Sequence, residues 1–371
     1  MKAFDFCPTT RVVFGEGTLA QLGKLSKELG GNRILFVTDP GIVSAGLADR
    51  AIAVLQRASL DFFVFDGVGE NPTTTHIEAG VAFAKARGNI DLIIGMGGGS
   101  AMDCAKGINF ILTNGGQMAD YWGMGHAAKP LLPSIGVPTT AGTGSEAQSY
   151  ALISDAKTHA KMACGDLKAR FRNVILDPSL VESVPKNVAA AAGIDAIAHA
   201  IESYVCTRRN AISMMFAQKA WQLLSSSFER ALKDASDSEA RGKMLLGAHF
   251  AGAAIENAML GAAHACANPL TAHFGIVHGV AVALMLPAVV QFNGETESAC
   301  YRGLGVDVDE LVEKIVFLKE CANLPSRLRD LGVARDSLPM LARDATEQWT
   351  GTFNPRPVNE DDFLALYESV Y

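Results

Sequence analysis

The sequence carries no C-x-x-C pair, no G-x-G-x-x-G fingerprint, no cluster of Lys and Arg, and no run of about 18 apolar residues free of breakers or charges. Each absence excludes a class. Seven scattered cysteines, an odd number, make neither a disulfide framework nor a thiolate metal site, so reduced thiols are expected. With a net charge of -7 and interspersed basic residues, the chain lacks the stripe that neutralises a phosphate backbone, and nucleic acid is not expected as a partner. No segment reads as a transmembrane helix, and the opening MKAFDFCPTTRVVFGEG lacks the apolar centre of a signal peptide. A cytoplasmic protein without a membrane partner is the expectation.

What is present is a chain of 371 residues, 49% apolar, with 36 glycines, long enough to bury two cores. Its first half alternates strand and helix patterns. RILFVTD reads as a strand ending in the turn Pro40-Gly41, LADRAIAVLQRA as a helix, DFFVFDGV as a strand, and IDLIIGMGGGS as a strand breaking on glycines before the helix AMDCAKGINFIL. Such alternation implies a parallel sheet covered by helices. From about Asn187 the strand signals end, and Ala- and Leu-rich helical patterns continue. The prolines of DPSLVESVP punctuate the change. The expected organisation is an α/β domain over residues 1–182 and an all-helical domain over residues 183–371.

Glycines at the end of a parallel strand let backbone amides and a helix N-terminus face a phosphate. Gly97, Gly98, Gly99 and Ser100 occupy such a position, although a tight turn alone would also use them. A second polar loop, PTTAGTGSE, adds the hydroxyls of Thr139, Thr140 and Thr143. Asp39 closes the first strand of the alternation, where a carboxylate accepts from a ribose diol and repels a 2′-phosphate, favouring NAD over NADP. The competing reading of Asp39 is a cap before Pro40.

Asp195 and His199, spaced i, i+4 in GIDAIAHAIESY, share a helix face. A capping Asp and a core His would give the same spacing. A second cluster adds weight: His264, His273 and His278 fall within fifteen residues of otherwise apolar sequence, out of eight histidines in the chain. Imidazoles with one carboxylate suit Fe²⁺ or Zn²⁺ rather than Mg²⁺ or Ca²⁺. Cys104 and Cys266 lie within these motifs, and a small buried filler is the expected role for each.

The stretches RVVFGEG, NPTTT, GMGGGSAMDCAK, PTTAGTGSE, GIDAIAHAIESY, HACANPLTAHFGIVHG and the tail NPRPVNEDDFLALYESVY, in this order, resemble the iron-containing (group III) alcohol dehydrogenases over nearly the whole chain. The resemblance implies an N-terminal Rossmann-like domain and a C-terminal helical bundle of the dehydroquinate synthase-like kind. It also implies an NAD-linked enzyme interconverting a small-molecule alcohol and aldehyde or ketone, at least dimeric. It assigns Asp195, His199, His264 and His278 to iron, with zinc as the alternative, and leaves His273 a bystander. Asp39, Asn71, Gly97 to Ser100, Thr139, Thr140, Thr143 and Lys161 match cofactor positions. Asn268 departs from the family, which usually carries His there; an amide exchanges no proton near neutral pH, so Asn268 is expected to orient substrate while proton exchange runs through water or the cofactor ribose. Val277 replaces the usual Pro before the ligand His278. The neighbouring glycerol dehydrogenase-like polyol branch is the alternative; GGGS in place of its GGGK, together with the four-ligand set, argues against it. Tyr150, Phe250, Asn268 and the loop ADYWGMGH are candidates for lining the substrate site.

Overall fold

The computed structural model describes residues 3–158 and 160–371. By compactness the chain divides into two units. The first comprises Cys7–Thr140 and Ser145–Ser183; the second comprises Val184–Tyr371 together with Ala141–Gly144 and a short stretch ending at Phe6. A linear cut cannot represent those two returning stretches.

The first unit is built on strands β1 (Arg11–Phe14), β2 (Arg33–Val37), β3 (Asp61–Phe65), β4 (Leu92–Gly97), β5 (Gly123–Met124), β6 (Ser134–Pro138), β7 (Tyr150–Ser154), β8 (Lys161–Gly165) and β9 (Asn173–Leu176). Its helices are α1 (Leu22–Glu28), α2 (Pro40–Ser44), α3 (Leu47–Arg57), α4 (Thr74–Lys85) and α5 (Gly99–Asn114). Six strands form one parallel sheet in the order β1-β9-β6-β4-β2-β3. The pleat sorts its side chains: Leu35, Val37 and Ile93 join one core, with Ala105 and Ile108 of α5, while Ile34, Phe36, Leu92 and Ile94 join the other, with Ala51 and Leu55 of α3. β5, β8 and β7 make a small second sheet, mixed in direction, that the alternating pattern does not announce. The Pro40-Gly41 turn is also corrected: these residues open α2, with Pro40 in its first turn and the Asp39 carboxylate accepting from the Ile42 amide at 3.0 Å.

The second unit is helical: α6 (Lys186–Val205), α7 (Ala211–Lys233), α8 (Ser238–Glu256), α9 (Ala262–Phe274), α10 (His278–Glu297), α11 (Val308–Cys321), α12 (Leu338–Thr346) and α13 (Glu360–Ser369). α6 is long and apolar enough to cross a membrane by length and composition, but here it is the core helix, packed by α7, α8 and α10. Its alanines let those neighbours approach closely, and from Gly193 to Val205 every residue is buried. Placing Asp195, His199 and Glu202 on this helix puts three ionisable groups in the interior, where each needs a partner.

Candidate metal and nucleotide sites

Asp195 and His199 sit one turn apart on α6, His264 in the first turn of α9, and His278 at the first position of α10. Gly279 makes the last placement possible, because any Cβ there would collide with the Ala191 carbonyl of α6. The three imidazoles converge on one atom. Asp195 Oδ1 lies 3.4 Å from His199 Nε2, 3.4 Å from His264 Nε2 and 3.8 Å from His278 Nε2. The His199 and His264 rings stack at 4.9 Å between centroids, and His278 is tilted against His264 at 5.4 Å.

This convergence is not a hydrogen-bond network. Asp195 Oδ1 and His264 Nε2 are buried, and neither has a hydrogen-bond partner. A polar atom buried without a partner costs about 1–3 kcal/mol, more if charged. Donor atoms spaced this way suit a shared cation: tetrahedral bonds of about 2.1 Å put ligand atoms roughly 3.4 Å apart. Asp195, His199 and His264 form the tight set, with ligand atoms within 4.8 Å of one another. His278, at 28% side-chain exposure against 7% or less for the other three, is the open side.

Electrostatics point the same way. Burial alone would raise the Asp195 pKa, but the surrounding imidazoles outweigh it and hold the carboxyl well below the usual carboxylate range. Burial pushes His199 down to about 4, so its imidazole is neutral. Burial acts on His264 in the same sense, yet the Glu202 and Asp195 carboxylates prevail and raise it to about 9. The same carboxylates favour a metal cation at this place, which would displace the His264 proton on binding.

Glu202 is the residue that sequence reading missed. Its Oε2 pairs with His264 Nδ1, and its Oε1 accepts from the Ala263 amide at 2.7 Å, fixing both the ring and the start of α9. It lies three residues after His199 and seven after Asp195, on the same face. His273, by contrast, lies outside the cluster and bonds Asp344 at 2.6 Å on the exposed side of α9. Asn268, one turn after His264, donates to Gln348 Oε1 at 3.0 Å.

In the first unit, β6, β4 and β2 are neighbours, so their carboxyl ends present Thr139-Thr140, Gly97 to Ser100 and Asp39 side by side. The Thr139 amide donates to the Gly97 carbonyl at 2.9 Å. Gly97 has φ +149°, and a Cβ there would stand 2.9 Å from Asp39 Oδ2 and 2.7 Å from Ala101 Cβ, so only glycine allows the carboxylate so close. α5 begins at Gly99 with no side-chain cap, leaving its first amides available to an anion. Asn71, at φ 49°, donates its backbone N–H to Ser100 Oγ at 3.3 Å and joins this edge. Of the remaining expected cofactor residues, Thr143 falls in the stretch that groups with the helical unit, and Lys161 is exposed at the head of β8 in the small sheet.

Beneath α5 lies a buried polar cluster with no counterpart in the sequence reading. Lys106 Nζ donates to the Ser145 carbonyl at 2.7 Å, Ser145 Oγ at 3.0 Å and the Tyr150 carbonyl at 2.6 Å, and stands 3.7 Å from Asp103. It ties the chain at Ser145 to the helix that follows the glycine turn. Cys104 and Cys266 are buried, and burial pushes Cys104 up to about 12 and Cys266 well above its usual value, as packing residues rather than nucleophiles. In the loop ADYWGMGH, Tyr121 is a core side chain against Phe110 with its hydroxyl on the Gly115 carbonyl, whereas Trp122 is 55% exposed.

The profile of iron-containing alcohol dehydrogenases matches residues 8–178, and that of the Fe-containing alcohol dehydrogenase family, C-terminal, matches residues 189–371. Alcohol dehydrogenase 4 of Schizosaccharomyces pombe is 37% identical over 96% of this chain and 86% of its own. The 1,3-propanediol dehydrogenase of Citrobacter freundii is 31% identical over 100% of this chain and 99% of its own. Among solved structures, sulfoacetaldehyde reductase from Bifidobacterium kashiwanohense in complex with NAD+ is 28% identical at TM-score 0.91, covering 100% of this chain and 99% of that one.

Proposed function

The chain belongs to the iron-containing alcohol dehydrogenase family and is an oxidoreductase of that family, and we propose that it interconverts a small alcohol and its aldehyde or ketone with NAD(H) at a metal held by Asp195, His199, His264 and His278. The observation that carries the reading is the convergence of three imidazole Nε2 atoms on Asp195 Oδ1, with that oxygen and His264 Nε2 buried and unbonded. The donor set suits iron, for which the family is named, and would accept zinc. When bound there, the ion supplies Lewis acidity to the substrate oxygen, favouring alkoxide in oxidation and a polarised carbonyl in reduction.

The protein's own groups supply orientation. Glu202 locks the His264 ring so that Nε2 faces Asp195. The α5 N-terminus and the hydroxyls of Thr139 and Thr140 suit the pyrophosphate of the dinucleotide, and Asp39 suits its adenosine ribose. Thr143 and Lys161 are assigned to the cofactor on family pattern. Asn268 binds without exchanging protons, so protonation of the product oxygen falls to solvent or to the cofactor ribose.

The free thiols at all seven cysteines support a reducing, cytoplasmic setting. Edge strand β1 leaves Val12 and Phe14 exposed at 39% and 45%, which supports burial against a second copy in a homodimer or larger homo-oligomer. The test is NADH oxidation by Fe²⁺- or Zn²⁺-loaded protein across a panel of short aldehydes and ketones. Turnover of at least one is expected; none, in either direction, would overturn the proposal.

A further inference from the structure

The amide of Asn268 has its direction imposed from outside. Its Nδ2 donates to Gln348 Oε1 at 3.0 Å, and Gln348 Nε2 donates to the backbone carbonyl of Asp344 at 3.3 Å. A carbonyl only accepts, so Gln348 must turn its NH₂ toward Asp344 and its oxygen toward Asn268. Asn268 must then spend its NH₂ on Gln348. Asp344 is itself held, since its carboxylate pairs with His273 at 2.6 Å across from α12 to α9. The relay therefore ends on a group that cannot flip, which is what settles the orientation of both amides.

The consequence is a fixed polarity on the face of α9 that His264 opens. Asn268 stands one helical turn beyond His264 and is half-buried, and its Oδ1 takes no hydrogen bond from any described residue. We infer that Gln348 is a specificity-determining positioning residue, which fixes Asn268 as a hydrogen-bond acceptor and so selects substrates carrying a donor, a hydroxyl or ammonium group, close to the reacting carbon. A histidine at this place can present either a donor or an acceptor; this relay allows Asn268 only one role. The inference rests on the proposed substrate site beside the metal quartet. One hydrogen bond at a half-buried acceptor, where water competes, corresponds to a preference of about tenfold over the unsubstituted analogue.

The experiment compares lactaldehyde with propanal, two aldehydes of equal chain length, as substrates of the metal-loaded enzyme with NADH, in the natural protein, Gln348→Met and Gln348→Glu. The natural enzyme should favour lactaldehyde by about tenfold in kcat/KM. Gln348→Met should erase the preference by raising KM for lactaldehyde, leaving kcat and the propanal KM unchanged. Gln348→Glu should keep it, because a carboxylate oxygen accepts from Asn268 as the glutamine does. Retention of the preference in Gln348→Met, its loss in Gln348→Glu, or equal kcat/KM for the two aldehydes in the natural enzyme overturns this inference alone. Turnover of neither aldehyde nor any other substrate overturns the proposed function and this inference with it.

Discussion

Glu202 grips His264 through Nδ1 while His264 Nε2 faces Asp195, so one carboxylate orients the imidazole that another carboxylate meets. Both lie on α6, two turns apart. Orienting groups of this kind typically contribute 10–100-fold in metal affinity. Glu202→Gln should therefore weaken metal binding by about 10–100-fold, read by chelator competition, while the fold survives. Unchanged affinity would remove Glu202 from the site.

Asp39 has two roles that substitution can separate. Asn caps helices as well as Asp does, so Asp39→Asn should leave thermal stability unchanged while Asp39→Ala costs about 1 kcal/mol. Loss of the charge removes repulsion of a 2′-phosphate, about 1 kcal/mol even at the dielectric of water, so Asp39→Asn should raise the NADPH to NADH ratio of kcat/KM at least about fivefold. An unaltered ratio in Asp39→Asn would leave the residue as a cap alone.

The buried Lys106 carries a stability prediction with a pH sign. Its side chain is 1% exposed beside Asp103. Deleting one partner of a buried pair costs about 3–5 kcal/mol, so Lys106→Met should lose about that much in urea denaturation. Burial already raises the Asp103 pKa, and Lys106 opposes the rise. Without Lys106 the folded-state value climbs further above the unfolded one. The protonated carboxyl is then tolerated below the unfolded value, and stability is lost as pH rises through the folded value. The deficit should be larger at pH 8 than at pH 5.

Thiol chemistry separates packing from catalysis. Cys104, pushed to about 12, and Cys266, higher than usual, remain protonated and shielded at pH 8. Iodoacetamide should label exposed Cys7 in the native protein and reach Cys104 and Cys266 only on unfolding, as peptide mass spectrometry would show. Rapid native labelling of Cys266 with loss of activity would restore a nucleophilic role.

Sequence pattern made the parallel sheet and the helical half legible, because the unbroken apolar run of RILFV and the Ala-Ile pattern of α6 are consequences of burial itself. Spacing i, i+4 puts Asp195 and His199 on one face but does not by itself single them out; the histidine cluster and the family resemblance did. Glu202 has the same face but reads, before burial is known, as one more solvated charge. His273 and His278 are alike in sequence; only the end of α9 at Gly275, φ 64°, and the restart of helix at His278 send one outward to Asp344 and the other toward Asp195. The small sheet stayed hidden because β5 is two residues long and β7 pairs antiparallel inside an otherwise parallel alternation. The Asn268–Gln348 bond, 80 residues apart in sequence, leaves no local trace.

The central claim is tested most directly by metal content and turnover measured on the same samples. Protein purified with Fe²⁺ should hold one divalent ion per chain by mass spectrometry, and His264→Ala and Asp195→Ala should hold none while remaining folded by circular dichroism. Chelation should abolish NADH-linked turnover and Fe²⁺ should restore it. Full turnover in metal-stripped protein, or one tightly bound ion per chain retained in both variants, would contradict the account.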